Sequence, residues 1–192
     1  LRIDFETAPS HEVLATKLRD FALLLRDARA VVLSDYGKGG LAHIAEMIAQ
    51  ARAAGTPVLV DPKGDDWTRY RGATLLTPNR GEFRDVAGRW RDDADFAARA
   101  RRLIADLDIR ALLVTRSEEG MTLFTSGETI DFAAEAREVY DVTGAGDTVI
   151  ATLGVLIAAG APLADAVRIA NAAAGIVVGK LGTAVALPSE LP

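Results

Sequence analysis

Seven consecutive residues, Asp141-Val142-Thr143-Gly144-Ala145-Gly146-Asp147, supply the residue types of an anion site with a carboxylate beside it. Glycine allows the sharp turn in which successive main-chain N–H groups point at one spot. Residues 148–159 are mostly apolar and long enough for a helix, whose N-terminus would carry free amide donors and partial positive charge. The pattern predicts that phosphate charge and an acceptor hydroxyl meet beside Asp147. Helix capping is the alternative role for this aspartate.

Polar side chains follow four short apolar segments, at the point where each segment ends. They are Asp35 and Lys38, Asp61 and Lys63, Asn79 and Glu82, and Thr115 and Glu118. In open parallel sheets, ligands bind outside the carboxyl ends of the strands. The spacing therefore predicts that these four groups converge on one edge of a sheet.

The elements that would position these groups alternate between strand and helix. Apolar runs predict strands at 30–33, 58–60, 75–76 and 111–114, with a hairpin over 121–131 turning at Ser126-Gly127. Helical periodicity predicts a helix that follows the capping residue Ser10 and a short helix that runs from after Asn79 through Phe83. Longer helices are predicted over 41–54, from Asp92 or Asp93 to about 107, over 145–159 and over 163–178. This order predicts an α/β fold in which helices cover both faces of a mostly parallel sheet.

Composition excludes several classes of protein. A net charge of −5 with scattered basic residues does not suit a nucleic-acid surface. The longest apolar stretch, near 149–161, is interrupted by glycines and is too short to span a bilayer. The chain lacks cysteine, which fits a reducing compartment. We therefore expect a cytoplasmic protein whose partners are small molecules rather than nucleic acid or membrane.

The motif at 141–147 resembles the C-terminal signature of the ribokinase-like (PfkB) carbohydrate kinase superfamily. Longer phrases, at 33–39, 61–64, 70–79, 113–118 and 171–183, are similar to the kinase domain of bacterial heptose 7-phosphate kinases. The resemblance covers nearly the whole chain. It implies a three-layer α/β/α fold and ATP-dependent phosphorylation of the anomeric hydroxyl of D-glycero-D-manno-heptose 7-phosphate. The product serves ADP-heptose and lipopolysaccharide synthesis.

The resemblance also sets an expectation for domain organisation. Members of this superfamily have a larger N-terminal portion, which includes most of a lid and much of the sugar pocket. We therefore expect residues 1–192 to be the C-terminal, nucleotide-binding portion of one kinase domain, with the N-terminal part and lid missing. Residues 1–6 would form the strand returning from the lid, and a homodimer would form through the lid of the complete protein.

For the reaction itself, the resemblance implies that Asp147 accepts the proton of the sugar hydroxyl. The main-chain amides of Gly144, Ala145 and Gly146 would stabilise charge on the transferred group.

Asn79-Arg80-Gly81-Glu82 resembles the Asn-x-x-Glu element of the superfamily. There, the asparagine approaches the nucleotide phosphates and the glutamate organises Mg²⁺ through water. Arg80 departs from the pattern, because relatives often carry an uncharged residue at this position. A capping box between Asn79 and Glu82 fits the same spacing.

Further ligand contacts are implied at scattered positions. Thr115 or Arg116 would lie near phosphate or ribose, and Asn171 near the adenine. Each has a structural alternative: a surface charge for Arg116, and a polar group on a packed helix for Asn171.

Two lysines and a cation site complete the expected set. Lys38 and Lys63 could hold a phosphate of the sugar or the nucleotide, or be solvated loop lysines. Asp141 and Thr143 match a monovalent-cation (K⁺) site of some superfamily members.

Two other functions compete with a heptose 7-phosphate kinase. One is another sugar or sugar-phosphate kinase of the same superfamily. The other is a non-catalytic nucleotide-binding module, against which the intact Asp147 and its glycines argue.

Overall fold

The computed structural model describes residues 7–135 and 139–192. Within these segments the helices are α1 (His11–Leu24), α2 (Ile44–Ala53), α3 (Arg80–Ala87), α4 (Asp93–Leu107), α5 (Ala145–Ala158) and α6 (Leu163–Val178). The strands are β1 (Val31–Ser34), β2 (Val58–Asp61), β3 (Leu75–Leu76), β4 (Ala111–Thr115), β5 (Met121–Thr125) and β6 (Thr129–Phe132). The strand predicted at residues 1–6 lies outside the described residues.

The strands form one sheet in the order β1-β2-β3-β4-β5-β6. The first four are parallel, and β5 and β6 join as an antiparallel hairpin. Ser34 pairs with Asp61 at the carboxyl ends of β1 and β2, and Asn79 forms a parallel bridge with Thr115. The strand ends therefore meet at one edge, as predicted.

Alternate residues of the strands face two separate cores, because side chains alternate between the faces of a sheet. Val58, Val60 and Leu112 pack with α2 and α4 on one side. Leu59 and Leu113 pack on the other side, against α5 and α6. The result is three layers, α/β/α, which confirms the predicted architecture.

Side chains fix the starts of three helices. Ser10 Oγ accepts the N–H of Val13, Asn79 Oδ1 that of Glu82, and Asp92 Oδ1 that of Asp95. Each bond satisfies an amide that the helix itself cannot pair. These caps place α3 directly after β3, so the first turn of α3 lies at the sheet edge.

The predicted start of α2 at Leu41 was wrong. The helix begins at Ile44, because residues 39–43 form tight turns instead. Ala42 N–H donates to the Gly39 carbonyl, and Ile44 N–H donates to the Leu41 carbonyl. Gly39 has φ +80°, a left-handed conformation that starts a turn rather than a helix.

Within the described segments, no helix has the length and apolar character needed to cross a bilayer.

Candidate active site

Asp147 lies in the first turn of α5, with its side chain exposed at the sheet edge. The helix begins after Gly144, whose φ of +80° is left-handed and favours glycine. A Cβ on Gly146 would meet no atom within 4 Å. The carboxylate therefore faces open space that reactants can enter.

The predicted ring of amides is only partly available. Ala145 N–H donates to the carbonyl of Val142 at 3.2 Å, so an anion would have to displace that bond. No acceptor for the amides of Gly144 and Gly146 is found among the described residues. The structure therefore offers two amides, rather than three, for an incoming anion.

The Tyr36 hydroxyl donates a hydrogen bond to Asp147 Oδ1 at 2.9 Å. Tyr36 follows β1, and its side chain is 61% exposed. The bond to Asp147, with the negative charge of that group, raises the pKa of Tyr36; the charge of Asp61 adds to this effect. The phenol therefore stays protonated near neutral pH and remains a donor to the carboxylate.

The loop that carries Tyr36 is held by the buried carboxylate of Asp35. Asp35 Oδ1 accepts the N–H of Gly37 at 2.8 Å, and Oδ2 accepts the Tyr70 hydroxyl at 2.9 Å. Arg69 Nη1 lies 3.6 Å from the same Oδ2. Burial, with the neighbouring Asp35, raises the pKa of Tyr70 to about 12.

Glu82 forms the capping box that the sequence spacing allowed, and its role towards Mg²⁺ stays a prediction. Its Oε2 accepts the N–H of Asn79 at 3.0 Å, which completes the capping box. Its Oε1 lies 3.0 Å from Lys63 Nζ. The hydrogen bond and the charge of Glu82 raise the pKa of Lys63. The helix cap thus holds the ion pair at the sheet edge.

Asp61 is a further carboxyl group at this edge. Burial raises its pKa from 3.8 to about 6, and the negative charges of Glu82 and Asp147 act in the same direction. Lys63 opposes the shift. The negative charges of Asp61, Glu82 and Asp147 add up in the same region, so an anionic nucleotide that binds there would need a cation to offset them.

Among residues 7–135 and 139–192, no group of three or more carboxylate or imidazole side chains could by itself hold a metal ion. Mg²⁺ that keeps most of its water binds proteins through one or two carboxylates and substrate phosphates, and Glu82 would be such a carboxylate, whereas the adjacent ammonium group of Lys63 repels a cation. Asp141 Oδ1 accepts the N–H of Thr143 at 2.9 Å. Hydrogen bonds from Thr143, first from its side chain, lower the pKa of Asp141, so an anionic oxygen is available for a monovalent cation.

The two arginines of the predicted nucleotide site are already engaged. Arg80 pairs with Glu119, and its guanidinium lies 5.6 Å from the centre of the Trp90 ring. Arg116 pairs with Glu119 and donates to Thr122 Oγ1 at 3.0 Å. Either side chain would have to exchange these contacts to reach a phosphate.

Thr115 ends β4, and its N–H donates to the Pro78 carbonyl at 3.0 Å. This bond holds the loop of Asn79 and Gly81 beside Thr115. Asn171 is 4% exposed, and its side-chain nitrogen donates to the Ala133 carbonyl at 2.8 Å. Its proximity to adenine stays a prediction, and its amide already packs α6 against the end of the hairpin.

Two open cavities flank the helices of this edge. One, of about 710 Å³, lies beside α6 and is lined by Tyr140, Gly175, Gly179 and Leu191. The other, of about 1100 Å³, lies between α1 and β1 and is lined by Asp35, Tyr36 and Lys38.

The loops that carry the two predicted lysines, Lys38 and Lys63, adjoin. A Cβ on Gly37 would lie 3.7 Å from Lys63 Cγ.

Sequence reasoning assigned no role to Tyr36 or Tyr70, and it placed Asp61 only among the polar groups at the sheet edge. Tyr36 and Asp61 stood in the polar segments that follow β1 and β2, and this position was the available signal. Tyr70 had no such signal, because it reaches Asp35 from a short 3-10 turn (Trp67–Tyr70).

Known structures share this fold. Phosphofructokinase-2 from Escherichia coli in complex with potassium superposes with a TM-score of 0.83 at 18% identity, covering 99% of this chain and 63% of the other. Arabidopsis thaliana ribokinase complexed with ribose and ATP gives a TM-score of 0.73 at 24% identity, covering 96% and 57%. These likenesses establish a ribokinase-like architecture.

The family model for pfkB family carbohydrate kinases matches residues 4–190, and the chain belongs to that family. Curated relatives are much more similar than the solved structures. D-beta-D-heptose 7-phosphate kinase of Bordetella bronchiseptica is 55% identical over 191 residues, which is all of this chain and 61% of the relative. Bifunctional protein HldE of Sodalis glossinidius is 54% identical over 192 residues, which is 40% of its length. The chain thus spans between two fifths and three fifths of these relatives.

Proposed function

We propose that this chain is the nucleotide-binding portion of a kinase for D-glycero-D-manno-heptose 7-phosphate. The reaction would transfer the γ-phosphoryl group of ATP to the anomeric hydroxyl and form the 1,7-bisphosphate for ADP-heptose and lipopolysaccharide synthesis. The observation that carries the proposal is the exposed Asp147 carboxylate at the glycine-rich N-terminus of α5, with open space beside it. The choice of sugar rests on the 55% identity to the Bordetella bronchiseptica enzyme.

In this mechanism the anomeric oxygen attacks the γ-phosphorus while the bond to the β-phosphate oxygen breaks and ADP leaves. Asp147 accepts the hydroxyl proton through Oδ2, because Oδ1 already accepts the Tyr36 hydroxyl. The amides of Gly144 and Gly146 donate to the oxygens of the transferred group, and the N-terminus of α5 favours their charge. Positioning of the reactants and stabilisation of transition-state charge, rather than covalent catalysis, would supply the rate enhancement.

The sheet edge would hold the nucleotide phosphates and their cation. Lys63 would donate to a phosphate oxygen, and Glu82 would hold Mg²⁺ through water; the cation would neutralise phosphate charge. Asn79 and Thr115 would line the phosphates, while the cavity beside α6, lined by Tyr140 and Gly175, would take the base. Asp141 and Thr143 would hold K⁺, an assignment supported by the potassium complex of a structural neighbour.

The remainder of the sugar pocket, and the lid through which a homodimer would form, belong in this proposal to an N-terminal portion of the full-length protein. This 192-residue chain alone would then bind ATP·Mg²⁺ but transfer little phosphate. Efficient turnover by the isolated chain would contradict that division. The protein would act in the cytoplasm, where ATP and sugar phosphates are available.

A phosphate-acceptor screen of the full-length protein tests the function. ADP release from ATP·Mg²⁺ is measured with heptose 7-phosphate, fructose 6-phosphate and ribose at matched concentrations. The proposal expects heptose 7-phosphate to give the highest kcat/KM. Preference for another sugar would place the protein elsewhere in the family, whereas nucleotide binding without transfer to any acceptor would favour a non-catalytic module.

A further inference from the structure

We propose that Tyr36 is a positioning residue that orients Asp147 for proton acceptance. This inference rests on the proposed function and adds a residue to its site. The Tyr36 hydroxyl donates to Asp147 Oδ1 at 2.9 Å, across 111 positions of the chain. Oδ1 of Asp147 is thereby held in place, and Oδ2 is left to face the sugar hydroxyl.

Asp147 needs an external partner to keep that orientation. An aspartate in a first helical turn can turn back towards the free amides of its own helix. Here α5 has no side-chain cap at its start. Within the described part of the chain, Tyr36 is the residue whose side chain hydrogen-bonds the Asp147 carboxylate. The tyrosine therefore selects a carboxylate orientation that differs from capping.

Packing alone does not explain the position of the Tyr36 ring. Its side chain is 61% exposed, although burial of an aromatic ring is normally favourable. Its hydroxyl nevertheless points at the one carboxylate of α5. Such an arrangement is expected of a group whose hydroxyl, rather than its ring area, is needed.

A buried hydrogen-bond network holds the loop that carries Tyr36. Asp35 is 6% exposed and binds the Gly37 amide through one oxygen and the Tyr70 hydroxyl through the other. The Tyr70 hydroxyl also accepts the N–H of Lys63 at 3.0 Å. The same buried network therefore positions the loop of Tyr36 and the loop of Lys63. In the proposed site, the first loop contacts Asp147, which faces the sugar hydroxyl, and the second carries the lysine for the nucleotide phosphates.

The test is a double-mutant cycle in the full-length protein with Tyr36→Phe and Asp147→Asn. Loss of one charge-assisted hydrogen bond predicts a fall in kcat of about tenfold for Tyr36→Phe. We expect KM for both substrates to change less than about twofold, because positioning acts in the transition state. In the Asp147→Asn background the second substitution should have little further effect, since no carboxylate remains to be oriented for proton acceptance.

Thr129→Val is the matched control, because it also removes an exposed hydroxyl that forms one side-chain hydrogen bond, here with Arg101. This control should keep its kcat. Equal kcat for Tyr36→Phe and the unsubstituted protein, or independent losses that multiply in the double variant, would overturn the positioning role while leaving the kinase proposal intact. Absence of transfer to any sugar by the unsubstituted protein would overturn the proposed function, and the positioning role with it.

A measurement without turnover tests the contact itself. NMR titration of ¹³C-labelled tyrosine, with the Tyr36 signal assigned through Tyr36→Phe, reports the pKa of this phenol. Asp147 and Asp61 both raise that pKa, and Asp147 does so more strongly. We expect Asp147→Asn to lower the pKa of Tyr36 towards its ordinary value. An unchanged titration would show that the two side chains are not in contact in solution, and would overturn the inference.

Discussion

Lys63 Nζ lies 3.0 Å from Glu82 Oε1, and this ion pair joins the loop after β2 to the first turn of α3. The glutamate is also tied to Asn79 through the capping box. A local helix cap and a long-range contact therefore position the same carboxylate. These contacts therefore hold the lysine and the glutamate together at the carboxyl edge of the sheet.

Substitution Glu82→Gln should weaken cation use without unfolding the protein. Glutamine can keep the capping box, but it lacks the charge that would hold hydrated Mg²⁺. We expect the Mg²⁺ concentration for half-maximal activity to rise about 10- to 100-fold, measured in the full-length protein at fixed ATP. Glu46→Gln in the first turn of α2 is the control. An unchanged Mg²⁺ requirement would remove Glu82 from the cation site.

Asp61 should make stability depend on pH between about 4 and 6. Its pKa is about 6 in the folded state, against an ordinary value of 3.8. The folded state therefore keeps a proton that the unfolded state releases, and the free energy of unfolding falls as pH rises through this window. After allowance for solvent screening, the loss is about 1–2 kcal/mol.

Urea unfolding at several pH values measures this effect. Asp61→Asn cannot ionise, so its free energy of unfolding should lack the decline seen in the unsubstituted protein between about pH 4 and 6. Parallel pH profiles for the two proteins would show that Asp61 is not shifted as described.

Gly120→Ala should destabilise the fold strongly. Gly120 has φ +89°, and an added Cβ would lie 2.0 Å from the Phe132 carbonyl oxygen, so main chain would have to move. We expect a loss of about 3 kcal/mol or more, measured by urea unfolding. Gly127→Ala, in the hairpin turn, is the control, because its Cβ would meet no atom within 4 Å. Similar stabilities for the two variants would contradict the close approach of β6 to Gly120.

The sheet and its helices were predictable because their signals are local. Strands β1 to β4 are short apolar runs, and α4 and α6 have clear helical periodicity, so both their type and their order could be predicted. The start of α2 was wrong because Leu41 fits the apolar pattern of the helix while the turns at Gly39 and Gly40 delay it. The local sequence pattern does not show whether the apolar Leu41 or the glycine turns before it decide where the helix begins.

The helix start at Gly144 and Asp147 was predictable, because the glycines and the apolar run that follows them are a local signal; the functional roles of these residues stay predictions. The site was not predictable where the contacts are long-range. The bond from Tyr36 to Asp147 and the bond from Tyr70 to Asp35 join segments far apart in sequence, and no spacing rule indicates them. The pKa of Asp61 likewise depends on burial and on charges from other elements.

The role of Asp147 as the proton acceptor is tested most directly by Asp147→Asn in the full-length protein. Asp165→Asn is the matched control, since Asp165 is a half-buried acid at the same position in the first turn of α6, where it pairs with Arg168. Single-turnover phosphoryl transfer and ATP·Mg²⁺ affinity are measured side by side. We expect Asp147→Asn to lose about 10²- to 10⁴-fold in rate with nearly unchanged affinity, and Asp165→Asn to lose nothing. A rate for Asp147→Asn equal to that of the unsubstituted protein would contradict the account.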